Sequence, residues 1–165
     1  MSLRTLNETL FASVTPTIQA ALYATGDLVG GKMEISGLGQ RELPHGVLYS
    51  VLVIDKDAQL GDFDLFLFDS DPSNTTFTEN GAFSIAAGDV SKLLAVINFT
   101  SADDTTVLGT RQFFFKEVSV PYRMVSTSGF TTDASVKLYA ALVARSGPTF
   151  TTTSSLILKF GAGLD

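Results

Sequence analysis

The sequence contains no cysteine and no tryptophan among its 165 residues, and it has a single histidine. Without cysteine there can be no disulfide framework, no thiol nucleophile and no thiolate metal site. The one histidine, His45, lies in a Leu-Pro-His-Gly turn, and one such ligand does not make a zinc site. The Gly-x-Ser-x-Gly motif of serine hydrolases is also absent. These absences exclude several common classes of catalytic site.

Charge is scarce, and its distribution is uneven. Charged residues make up 17% of the chain, and the formal net charge is −6. Positions 55–79 hold seven acidic residues and one lysine, whereas the rest of the chain carries ten residues of each sign. Lysine and arginine form no cluster, and clustered cations are what a nucleic-acid backbone requires. Nucleic acid is therefore not an expected partner.

Long hydrophobic runs and a signal-peptide pattern are absent too. No apolar stretch approaches the roughly 18 residues of a membrane span, so we expect a soluble protein that is not exported by a cleaved signal and does not bind membranes. What is present is a hydrophobic content of 45%, with 13 Phe and 14 Gly. So many apolar residues with so little charge predict that neighbouring subunits cover part of the surface.

The most hydrophobic segment is residues 61–72, GDFDLFLFDSDP. Phe63, Leu65 and Leu67 alternate onto one face of a strand, and Phe66 and Phe68 onto the other. A strand that is apolar on both faces belongs inside a sheet that is covered on both sides. This segment therefore predicts a central strand of a packed β protein.

The other predicted strands are short and separated by turn signals every 8–12 residues or so. They span residues 18–24, 32–36, 47–55, 77–85, 93–99, 112–120, 136–145 and 154–160, with one helical turn capped by Asp89. No regular strand–helix alternation is present. The pattern predicts an all-β fold, an antiparallel, jelly-roll-like β-sandwich of roughly eight or nine strands. We expect one sandwich domain over residues 17–165.

The N-terminal residues 1–16 are predicted to form a separate arm or a short amphipathic helix. Apolar residues fall on one helical face at Leu3, Leu6, Leu10, Phe11 and Val14. An isolated helix of this length is marginal in water, so it must dock on its own domain or on a neighbouring subunit, or stay extended. Leu3, Leu6, Leu10 and Phe11 are therefore candidate partner-binding residues.

Paired aspartates at both ends of the central strand are the candidate chemical groups. Asp62 and Asp64, and then Asp69 and Asp71, are each two residues apart. Glycosidases need two carboxyl groups that face each other across a sugar, and such pairs come from different strands. We therefore expect no enzyme, and the four aspartates become candidate partner-binding residues.

Calcium is the one cofactor to consider. Asp69 and Asp71 are candidate Ca²⁺ ligands, because residues 69–74 offer oxygen ligands at alternate positions. The EF-hand pattern is not met, because Asn74 replaces the central glycine and Asn80 the bidentate glutamate. A plain Asx-type turn explains the same residues.

Several segments resemble small virion proteins of tailed bacteriophages that are encoded among the head genes. The matching segments are residues 23–31 (YATGDLVGG), 62–69 (DFDLFLFD), 80–85 (NGAFSI) with 89–92 (DVSK), and 138–149 (LYAALVARSGPT). They are strand and turn motifs, so the resemblance implies a fold relationship and supplies no catalytic residues. The N-terminal segment is not part of the match.

The resemblance implies a structural protein of the virion, on the outer surface of the capsid. A decoration (cement) protein is expected to bind the major capsid protein, to associate with itself, typically as a trimer, and to stabilise the shell. The alternative is a receptor- or glycan-binding β-sandwich module of a head spike or tail fibre. Binding to capsids distinguishes the first hypothesis, and binding to glycans the second.

Overall fold

The computed structural model describes residues 9–40, 42–59, 61–102, 105–125, 129–132 and 135–164. Within these ranges the chain forms nine strands and one 3-10 helix, and no helix is long and apolar enough to cross a membrane. The strands are β1 Thr9–Val14, β2 Leu28–Ser36, β3 His45–Asp55, β4 Phe63–Phe68, β5 Leu93–Phe99, β6 Thr105–Leu108, β7 Arg111–Arg123, β8 Lys137–Ala144 and β9 Leu156–Gly163. The 3-10 helix, Ala87–Lys92, precedes β5.

The strands form two antiparallel sheets, and together these make a jelly roll. One sheet has five strands in the order β1-β9-β3-β7-β6, and the other has four in the order β2-β8-β4-β5. The chain is arranged as one long antiparallel hairpin that is wound on itself. Its successive strand pairs are β4–β5, β3–β7, β2–β8 and β1–β9. The β3–β9 and β4–β8 pairs join them into sheets. The predicted all-β sandwich is confirmed.

For residues 1–16 the helical alternative is wrong from residue 9 onward, because residues 9–14 form the edge strand β1, which pairs with β9. Residues 1–8, which include Leu3 and Leu6, lie outside the described residues. Leu10, Ala12 and Val14 pack against the core, and Phe11 points outward. Apolar residues at 10, 12 and 14 fit a period of two, and β9 supplies hydrogen-bonding partners that an isolated helix would lack.

Two other predicted strands are also absent from the sheets. Residues 18–24 and 77–85 make only isolated bridges, Leu22 with Thr149 and Asp27 with Ala82. The short strand β6 was not predicted, whereas 93–99 matches β5 at both ends. Strand propensity alone cannot decide which extended segments find a partner.

The main core lies between the sheets and includes one face of β4. Phe63, Leu65 and Leu67 are fully buried, and the Phe63 ring meets the Phe114 ring of β7 edge-on at 5.7 Å. A second cluster covers the other face of β4, where Phe68 is fully buried with Leu28. Its roof is the β4–β5 connection, whose aromatic residues Phe77 and Phe83 pack over Phe66, Phe68 and Tyr139. The prediction that β4 is covered on both sides is confirmed.

The two faces of β4 are expected to respond differently to truncation. Phe63→Ala should lower the free energy of unfolding by about 3–5 kcal/mol, the usual cost of emptying a fully buried Phe site. Phe66→Ala should cost less, since Phe66 is only half-buried beneath Phe83. Urea unfolding measures both, with Val90→Ala as a near-neutral control, since Val90 is 56% exposed on the 3-10 helix. Equal losses for Phe63 and Phe66 would contradict this division of the core.

Candidate functional site

The outer faces of the two sheets differ in how they are covered. The four-stranded sheet has its aromatic roof, whereas the outer face of the five-stranded sheet stays open in the described part of the chain. Phe11 is 77% exposed and Phe115 is 53% exposed on this open face. Large aromatic side chains this exposed on a rigid sheet mark a candidate interaction surface.

The strand register brings residues from four strands onto this surface. Phe11 of β1 lies opposite Gly161 of β9, which lies opposite Ser50 of β3. In the next row, Leu52 of β3 lies between Lys159 of β9 and Phe115 of β7. We call this surface the open face; it comprises Phe11, Ser50, Leu52, Phe115, Glu117, Lys159 and Gly161.

A mainly apolar groove of about 380 Å³ runs across the open face between Phe11 and Phe115. Gly161 forms part of its floor, because a Cβ atom there would lie 2.6 Å from the Ser50 Oγ and 3.5 Å from the Phe11 ring. Any other residue at this position would push these neighbours aside. Glycine therefore keeps the groove open where β1, β9 and β3 meet.

Two opposite charges flank the groove. Lys159 shares a row with Leu52, and Glu117 lies opposite Ser50 in the adjacent row. Both residues are exposed. Neither side chain forms an ion pair or hydrogen bond with another described residue. The open face thus combines an apolar centre with one cation and one anion whose side chains have no partner among the described residues.

The structure separates the four candidate aspartates into two pairs at opposite ends of β4. The Asp62 carboxylate accepts a hydrogen bond from the Ser101 amide at 2.7 Å. Asp64 accepts one from the Asn98 amide group at 2.6 Å and lies 3.5 Å from Arg145. These carboxylates therefore serve local structure, and they do not face Asp69 and Asp71 across a cleft.

Asp69 and Asp71 lie in the turn that follows β4. Asp71 forms an ion pair with Lys32 at 2.7 Å, and its carbonyl accepts a hydrogen bond from the Lys92 ammonium at 2.6 Å. Asp69 accepts a hydrogen bond from its neighbour Ser70. The described residues contain no group of three or more His, Asp or Glu side chains that could hold a metal ion.

Asp89 holds this turn in place, although the sequence predicted it only as a helix cap. The 3-10 helix follows Ala86, with no side-chain cap, and the buried Asp89 carboxylate instead binds the turn. It accepts hydrogen bonds from the Asn74 amide and the Thr75 hydroxyl, both at 2.8 Å, and pairs with Lys92 at 2.8 Å. Burial alone would raise the pKa of Asp89, but Lys92, Thr75 and Asn74 outweigh it and hold this pKa well below its usual range.

A polar cleft of about 350 Å³ lies beside the same turn. It is lined by Ser70, Asp71, Ser73, Lys92, Val125, Phe130, Ser135, Lys137 and Tyr139. Its lysines are already paired, Lys92 with Asp89 and Lys137 with Glu34. Burial, with Asp71 and Glu34 nearby, raises the pKa of the Tyr139 hydroxyl, which therefore stays protonated at neutral pH. Hydroxyl groups, paired charges and an aromatic wall suit a neutral polar ligand.

Loss of the Asp89 charge is expected to lower the stability of the fold. It should also make that stability depend less on pH in acid. A carboxyl whose pKa is lower in the folded state stabilises the fold above its unfolded pKa of about 4, and this stabilisation is lost as the pH falls. Asp89→Asn should lower the melting temperature at pH 7 and reduce its decline below pH 4. Thermal unfolding from pH 2 to 7 measures both effects, with the more exposed Asp71→Asn as the control. A variant whose melting temperatures match the parent at every pH would contradict this role.

No protein-family model matches the sequence, and no curated protein matches it. Among solved structures, the chain is similar to the PRD1 vertex protein P5, with 13% sequence identity and a TM-score of 0.41. The similarity covers 97% of this chain and 98% of that one. At this identity and score the likeness assigns neither a function nor a fold, so the jelly roll rests on the strand order described above.

Proposed function

We propose that this chain is a structural protein of a bacteriophage virion, a decoration (cement) protein that binds the outer surface of the capsid and stabilises the shell as a trimer. The observation that carries this proposal is the open face, where exposed Phe11 and Phe115 border an apolar groove. The resemblance of the strand and turn motifs to phage head proteins is the reason for proposing the capsid as the binding partner.

An assembly role follows from the contrast between the two outer faces. The outer face of the four-stranded sheet is covered by Phe77 and Phe83, whereas the outer face of the five-stranded sheet is exposed. Apolar surface exposed to water is unfavourable by roughly 25 cal/mol per Å², so a protein that acts in an assembly gains stability by burying such a face there. A rigid sheet also presents its side chains with little loss of conformational entropy.

The opposite side of the molecule suits contact with solvent or with a basic patch on the major capsid protein. Asp64 points outward from the four-stranded sheet, and Asp69 and Asp71 lie in the turn at the end of β4. Lys32 and Arg145 neutralise part of this acidic region. Because these carboxylates are paired with cations, an amide and a hydroxyl group and not with one another, we propose no hydrolytic role.

Capsid binding is the direct test. Purified protein should co-sediment with undecorated capsids of the phage that encodes it and raise the temperature at which those capsids break open. Asp69→Asn and Asp71→Asn should weaken this attachment while their own melting temperatures stay close to the parent, since both residues lie in a surface turn. Failure of the parent protein to co-sediment at micromolar concentration would refute the proposal.

A second candidate function is recognition of a host surface glycan, and the polar cleft beside Asp71 favours it. Ser70, Ser73 and Ser135 offer hydroxyl groups to a sugar, and Phe130 offers an apolar wall. Under this proposal, Ca²⁺ at Asp69 and Asp71 would assist binding through the oxygen ligands that this ion prefers.

A glycan array tests the second candidate. The expected result under this candidate is binding that disappears in EDTA and weakens in Ser73→Ala. The matched control is Ser13→Ala, which removes a hydroxyl from the opposite sheet. If no glycan on the array binds and EDTA leaves the melting temperature unchanged, both glycan recognition and Ca²⁺ binding would be contradicted.

A further inference from the structure

We infer that the open face is the surface through which copies of this chain associate, with Lys159 of one copy lying against Glu117 of the next. The association of copies rests on the open face itself, whereas its closure as a trimer rests on the proposed function. The occupant of the groove is thus a second copy of the same protein, not the shell.

The charges on the open face favour a second copy over another occupant. Any partner that covers the open face also desolvates Lys159, which lies beside Leu52, and Glu117, which lies beside Ser50 in the adjacent row. Burying an unpaired charge is costly, so this partner must present an anion to Lys159 and a cation to Glu117. A second copy carries both charges on the same kind of apolar surface, at the spacing that the sheet fixes.

The two halves of the five-stranded sheet also complement each other. Phe11 and Lys159 lie on the β1–β9 side, and Glu117 lies on the β7–β6 side. The edge strand β6 adds Leu108, which is 65% exposed and pairs with Arg111 on the same face of the sheet as Phe115. If the β7–β6 side of one copy packs on the β1–β9 side of the next, the interface is head-to-tail. Such interfaces close into rings when the rotation between copies allows it.

Association of the full-length protein can be measured by analytical ultracentrifugation. The parent is expected to sediment as a trimer at micromolar concentration, and Phe115→Glu as a monomer, because a carboxylate would then enter the apolar groove. Val90→Glu is the matched control, since Val90 is similarly exposed but lies on the 3-10 helix away from the open face. Melting curves establish that each variant is folded.

Charge reversal tests the pairing itself. Lys159→Glu and Glu117→Lys should each weaken association about tenfold, because like charges then meet across the interface. The double variant Lys159→Glu/Glu117→Lys restores opposite charges and should recover most of the affinity. Recovery in the double variant is not expected if the two residues merely support the fold of one copy.

The outcomes separate this inference from the proposed function. A parent protein that is monomeric yet binds capsids through Phe115 would overturn the inference and keep the decoration role. An oligomer that Phe115→Glu dissociates, without any capsid binding by the parent, would support the inference and refute that role. An oligomer unaffected by Phe115→Glu and by both charge reversals would overturn the inference.

Discussion

The structure depends on the burial of strand β4 on both faces. Its inward row, Phe63, Leu65 and Leu67, holds the two sheets together, and Phe63 meets Phe114 from the opposite sheet. Its outward row needs a roof, which the β4–β5 connection provides with Phe77 and Phe83. Because the connection is used there, it cannot cover the five-stranded sheet. The open face is therefore a consequence of how the chain covers its most hydrophobic strand.

Much of the fold could be predicted because strand alternation is a local property of the sequence. Strand β5 matches its predicted residues, and β4 has the predicted two-sided burial. The N-terminal strand was missed because its apolar residues also fit a helical period, and only β9 decides between the two. Residues 77–85 do not form the predicted strand, because their aromatic residues pack on a sheet without joining its hydrogen bonding. Such outcomes depend on contacts between residues distant in the chain.

The candidate site was less predictable than the fold. Phe11 was expected to bind a partner, although from a helix, and the structure places it on the open face. Phe115, Glu117, Lys159 and Gly161 were not singled out, because alternation shows that a strand has two faces but not which face is covered. The run Phe113-Phe114-Phe115 could have indicated an exposed aromatic residue. Consecutive residues in a strand point in opposite directions, so the three rings cannot all face the same core. The aspartates are conspicuous in the sequence, but their hydrogen-bond and ion-pair partners depend on the fold.

The pairing of β1 with β9 has a consequence for the order of events during synthesis. Thr9 pairs with Gly163, so the first and last strands of the described chain are neighbours in the finished sheet. Chains are made from the N-terminus, and contacts between distant segments form late. Strand β1 therefore has its sheet partner only after β9 has been made, and the groove wall that carries Phe11 depends on that pairing. The open face is thus complete only after the residues of β9 have been synthesised.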